Sequence, residues 1–150
     1  MKLVKIISWI TLISFAVIQF FPVDYNQSKT IPQTDFMIVN KVPATVYKTL
    51  QVSCYNCHSN NTFYPWYNKL QPVAWYLEKH INDGKKDLNF SVWGDYSDRR
   101  KKSKINSIIN QIESGEMPIY SYTVIHRNAI ISKSDKEAVI KYMTSLKDSL

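Results

Sequence analysis

Cys54-Tyr55-Asn56-Cys57-His58 sets two thiols three residues apart and an imidazole directly after the second. On helical geometry residues i and i+3 share a face, so both thiols can reach one planar group. C-x-x-C-H is the attachment signature of c-type haem. The thiols meet the two vinyl groups of one porphyrin, and His58 turns its imidazole onto the iron. Other chemistries fit less well. A Cys54–Cys57 disulfide would close a strained short loop. A dithiol redox pair sits at a strand-to-helix junction in a βαβ pattern, and no such alternation surrounds these residues. Zinc would need a second ligand pair of the H-x₃₋₅-H kind, whereas His80 and His126 stand far apart. With 2 Cys and 3 His in all, neither a disulfide framework nor a Cys-only iron–sulfur cluster can be built.

A haem that only transfers electrons takes a second axial ligand. Met117, in Gly115-Glu116-Met117-Pro118, follows a helical pattern, and Pro118 favours an extended conformation before it. That suits a loop laid along the far haem face, with Met ligation raising the potential. His80 is the alternative distal ligand. Val73, Tyr76, Leu77, His80 and Ile81 form one helical stripe, which predicts an inward-facing imidazole. His126, after Tyr120–Tyr122, reads as a surface or propionate-side residue.

The elements that must position these residues form an all-α chain. From Leu3 to Val23, Lys5 is its only charge, and the run makes about 31 Å of helix against a ~30 Å hydrocarbon core. Lys2 and Lys5 ahead of the span hold the N-terminus in the cytoplasm and send the rest outward. No small-residue cleavage site follows, so residues 1–23 read as an uncleaved transmembrane anchor, with a cleaved signal peptide as the alternative. Residues 24–41 read as a polar linker broken by Pro32, and 42–150 as the haem domain.

Pro43 fits the first turn of a helix to about Val52, with Val46, Tyr47 and Leu50 on one face. A helix over Val73–Ile81 is predicted to close at Gly84. A third carries Ile105, Ile108, Ile109 and Ile112 and stops at Gly115. The last opens on Ser134-Asp135-Lys136-Glu137 as a capping box, with Val139, Tyr142, Met143 and Leu146 along one side. Trp66, Tyr67, Trp75 and Trp93 are expected to supply flat apolar surface to the macrocycle.

The chain has 19 Lys and Arg against 12 Asp and Glu, a net charge of +7. Arg99, Arg100, Lys101 and Lys102 open its densest basic run. Cations oppose the macrodipole at a helix N-terminus, so either the helix starts nearer Ser103 or the patch faces an acidic redox partner or anionic headgroups. Export argues against nucleic acid.

The run CYNCHSNNTFYPWYNKLQPVAWYLEKHINDGKKDLNFSVW, then GEMPIYSYTVIHRNAIIS and a closing helix, resembles the bacterial haem-binding domain family of short membrane-tethered cytochromes, over roughly residues 42–146. A broader likeness is to class I cytochrome c. The resemblance implies one covalent haem c on Cys54 and Cys57 with His58 proximal, and the class I likeness implies Met117 distal. The helical segment bearing His80 departs from a minimal cytochrome and leaves the sixth ligand open. The expected function is a membrane-tethered electron carrier facing the periplasm or exterior. The alternatives are a small peroxidase-like haem enzyme with an open sixth position and a thiol–disulfide oxidoreductase.

Overall fold

The computed structural model describes residues 1–150. It is all-α: eight α-helices, three short 3₁₀ turns and no strand. A single antiparallel bridge joins Gln27 and Asn61.

The core lies among α3 (Ala44–Ser53), α6 (Asp98–Ser114) and α8 (Lys133–Asp148), with α8 packed against both of the others. Each helix contributes residues three or four apart, the spacing that puts side chains on one face. α3 buries Val46 and Leu50, α6 buries Ile105, Ile108 and Ile112, and α8 buries Val139 and Met143. Gly115, at φ 76°, ends α6 in the left-handed conformation that glycine adopts without a Cβ penalty.

Caps move two of the expected boundaries. α8 is capped by Ser132, not Ser134: Ser132 Oγ accepts from the Asp135 backbone N–H at 3.1 Å. The side-chain oxygen of an N-cap reaches the third residue on, so Ser-x-x-Asp competes with Ser-x-x-Glu. α6 begins at Asp98, capped by Ser97, so the basic run lies inside its first turns and not before it. Asp98 offsets part of that unfavourable charge, its carboxylate 3.6 Å from Lys101 Nζ. Arg100 lies over the Tyr96 ring at 4.4 Å.

Residues 24–41, expected as a linker, are part of the packed domain. Asp35, 2% exposed, caps α2 (Phe36–Val39) by accepting from the Met37 N–H at 2.9 Å. It also accepts from Tyr55 Oη at 2.9 Å. Phe36 is fully buried, edge-on to Trp93 at 4.8 Å and to Phe90 at 5.2 Å. Burying a Phe stabilises a fold by about 1.5–3 kcal/mol, enough to tie down a short segment whose polar groups are satisfied. Upstream, Asn26 Nδ2 donates to Ser59 O at 2.8 Å and to Thr62 Oγ1 at 2.9 Å.

α1 (Lys2–Ile18) has 17 residues, about 25 Å at ~1.5 Å per residue, shorter than the apolar run that contains it. A turn at Gln19–Phe20 and then Pro22 stop it. No helix of the structure is long and apolar enough to cross a membrane.

Candidate functional site

Cys54 stands at the junction of α3 and the one-turn helix α4 (Tyr55–His58), serving as C-cap of the first and N-cap of the second. Both cysteines are free thiols and half-buried. Burial pushes the Cys54 thiol up to about 12, with a smaller contribution from Cys57. Burial pushes Cys57 up to about 11.

Behind α4 runs α5 (Val73–Asp87). It does not stop at Gly84 but carries that glycine through its interior, because α4 packs directly on it. A Cβ on Gly84 would lie 3.0 Å from the Cys57 carbonyl oxygen and 3.3 Å from His58 Cε1. The same close approach lets the His58 ring reach the end of α5. His58 Nδ1 stands 2.9 Å from the Gly84 carbonyl and 3.0 Å from that of Leu88. Carbonyl oxygens only accept, so Nδ1 carries the proton, shared between the two, and Nε2 is left with a free lone pair. Burial lowers the His58 pKa, against the two carbonyl bonds that raise it. The neutral imidazole that a metal requires is thus favoured.

His58, Cys54 and Met117 line one cleft of about 280 Å³, walled by Leu88, Phe90, Ile108 and Ile112, with Asp87 and Lys104 also on its lining. Met117, 36% exposed, is held by its backbone N–H donating to the Gln111 carbonyl at 3.1 Å. Cys57 lies outside the lining, near Tyr67 and Tyr122, whose phenol pKa values are raised first by burial and further by the Cys57 charge.

His80 is not in this cleft. Its Nδ1 is 2.9 Å from the Tyr76 carbonyl on the exposed side of α5, and the inward residues are Ala74 and Ile81. Ile81 of the expected stripe is buried, but the buried line runs from it to Ala74, and Gly84 meets α4, so Val73, Tyr76 and His80 fall outside that line. His126 pairs elsewhere, its Nε2 2.7 Å from Tyr67 Oη and its ring stacked on Tyr122 at 4.3 Å. Of the four expected flat rings none lines the cleft: Trp93 is in the core, Trp66 and Trp75 are exposed, and Tyr67 bonds His126. Phe90 supplies the aromatic wall instead. A larger cleft, about 650 Å³, lies against the other face of α4, where Tyr55, Asn56, Tyr122 and His126 line it without either cysteine.

The model of the haem-binding domain family matches residues 13–145. The chain belongs to the haem-binding domain family. No curated protein and no solved structure matches it. The residues fit the group that the family is named for. A neutral imidazole with its outer nitrogen fixed by carbonyls, a free thiol and a thioether converge on one apolar cleft, and the second thiol is adjacent in sequence to that imidazole.

Gly84, Leu88 and Lys104 are the site residues that sequence reasoning missed. A lone glycine inside a helical pattern signals close packing as well as a cap, so Gly84 carried a usable signal. Leu88 acts through its backbone and left none. In this haem-binding domain, Gly84→Ala is expected to cost about 1–3 kcal/mol, because the backbone oxygen it meets cannot rotate away. Thermal unfolding measures the cost, and haem content per chain should fall with it. An unchanged melting curve would mean that α4 and α5 are not in contact.

The thiols offer a second test. At pH 8 a cysteine of ordinary pKa is roughly a quarter thiolate, and thiols held about two to three pH units higher are about a hundredfold or more less ionised. Iodoacetamide should therefore alkylate Cys54 and Cys57 of the folded, haem-free chain at least about a hundredfold more slowly than in urea, read by mass spectrometry. Rapid alkylation of the folded chain would favour the thiol–disulfide oxidoreductase.

Proposed function

We propose that this chain is a membrane-tethered monohaem c-type cytochrome that transfers electrons on the extracytoplasmic face. The observation that carries the reading is the pair of carbonyls on His58 Nδ1, which leaves Nε2 as the free nitrogen of a ring sharing its cleft with Cys54 and Met117. Cys54 and Cys57 would hold the haem by thioethers, and His58 and Met117 would bind its iron. When bound, the iron supplies a one-electron couple, and a Met/His pair raises its potential.

The chain's own residues do the rest. The Gly84 and Leu88 carbonyls fix the His58 tautomer and raise its basicity. Leu88, Phe90, Ile108 and Ile112 exclude water from one side of the cleft. So small a cleft would leave part of a bound macrocycle outside it, and that edge would be the route for an electron. Lys104, at the cleft, lies on the helix whose first turns carry Arg99, Arg100 and Lys102. Lys101 is paired with Asp98 and Arg100 stacks on Tyr96. Arg99 and Lys102 are therefore the cations of this run offered to an acidic redox partner.

Tethering is supported by α1, whose residues from Lys2 to Val17 are all exposed, and by the apolar residues that continue to Val23. Lys2 and Lys5 at its start support the outward orientation. The visible spectrum of membrane-expressed full chain, taken before and after acid–acetone extraction, tests the whole reading. Low-spin haem that resists extraction is the expected result. Haem that extracts completely would leave a haem-binding protein without the covalent bonds.

A further inference from the structure

α1 alone is about 5 Å too short for a ~30 Å hydrocarbon core at ~1.5 Å per residue, yet it carries no charge after Lys5, which suits a span. Its exit is not loose. Gln19 Nε2 donates to the Gln71 carbonyl at 3.2 Å, and the Gln71 N–H donates back to Gln19 Oε1 at 3.0 Å. The Phe21 carbonyl accepts from Gln71 Nε2 at 3.0 Å and from Trp75 Nε1 at 3.1 Å. Four hydrogen bonds thus clamp the end of α1 to the segment that opens α5, and Gln71 is itself buried.

Around that clamp stand large apolar side chains that nothing in the domain covers. Phe20 is 82% exposed and Trp75 39%, with Phe21, Leu70, Val73 and Tyr76 exposed beside them. Trp and Tyr with one apolar and one polar end belong at the headgroup level of a bilayer.

Resting on the tethered reading above, we propose that this collar is a membrane-contact surface. The clamp and its aromatic rim sink into the lipid interface of the bilayer that holds α1. The collar supplies the depth that α1 lacks, and it seats the haem domain on the membrane in one orientation. The occupant is lipid because the collar is continuous with α1: the same backbone that leaves the apolar helix at Phe21 is bonded to the collar's Trp75.

The test uses the full, haem-loaded chain in vesicles of phosphatidylcholine and phosphatidylglycerol, with a nitroxide placed singly by Tyr76→Cys, Val73→Cys or, at an exposed position of α8, Glu137→Cys. Labels at 73 and 76 should lose their broadening by a water-soluble nickel chelate and keep that by oxygen, while the label at 137 keeps both. Adding Gln71→Ala should restore nickel access at 76. If the chain floats with vesicles but nickel reaches 76 as readily as 137, the collar is in water and this inference falls while the anchor stands. If the chain does not float with vesicles at all, the tethered reading itself falls.

Discussion

Replacing Cys54 and Cys57 together by Ala is expected to abolish the haem that survives acid–acetone extraction, since in the proposed cytochrome each thiol would contribute one of the two bonds that resist it. Either single substitution should weaken retention, leaving one thioether. His58→Ala is expected to keep the attachment but remove the low-spin spectrum, because the thiols and the imidazole do different work. The structure sharpens the last expectation: His58 Nδ1 is already committed to the Gly84 and Leu88 carbonyls, so Ala there removes the proposed iron ligand and also takes the donor from the Leu88 carbonyl, while the Gly84 carbonyl keeps the Leu88 N–H at 2.9 Å. A stranded buried acceptor costs about 1–3 kcal/mol. Haem staining of the double Cys variant at the level of the parent chain would sink the cytochrome reading.

Met117→Ala is expected to have the second large effect. Thioether sulfur on ferric haem gives a weak charge-transfer band at the red edge of the visible spectrum, and a bis-imidazole site does not. Met117→Ala should eliminate that band, lower the potential and open the iron to carbon monoxide. His80→Ala should leave all three untouched. Its imidazole bonds the Tyr76 carbonyl on an exposed face, so the stability change should stay within about 0.5 kcal/mol. A silent Met117→Ala together with a decisive His80→Ala would transfer the distal role. A five-coordinate spectrum in the parent chain that neither variant alters would favour the peroxidase-like enzyme.

The contrast between Met117 and His80 shows what was legible in the sequence. Met117 was placed by chemistry that acts locally: Gly115 ends a helix, Pro118 constrains its neighbour, and the loop between them is short. His80 was misplaced because a periodic stripe states which residues share a face but not which face turns inward. On α5 that choice belongs to Gly84 and Ala74, small residues that a hydrophobicity pattern undervalues. The helices of the core were readable for the opposite reason, since Ile105, Ile108 and Ile112 have no better place than inside. Residues 24–41 misled through composition. Polar side chains there make specific hydrogen bonds to the Ser59–Thr62 loop, and one fully buried ring, Phe36, outweighs the polar tract around it.

That buried ring also decides where the chain can be cut. A soluble piece begun at Val42, where composition would place the boundary, would lack Phe36, the Asp35 carboxylate that accepts from Tyr55, and the Asn26 amide that braces Ser59. The attachment segment would then lose support on the side that faces away from the cleft. A piece that keeps these three contacts can start at Asp24, one residue past the apolar run, but it gives up the Gln19 and Phe21 bonds to Gln71 and Trp75. On the tethered reading proposed above, cofactor loading and release from the membrane would be separated at that narrow point of the chain.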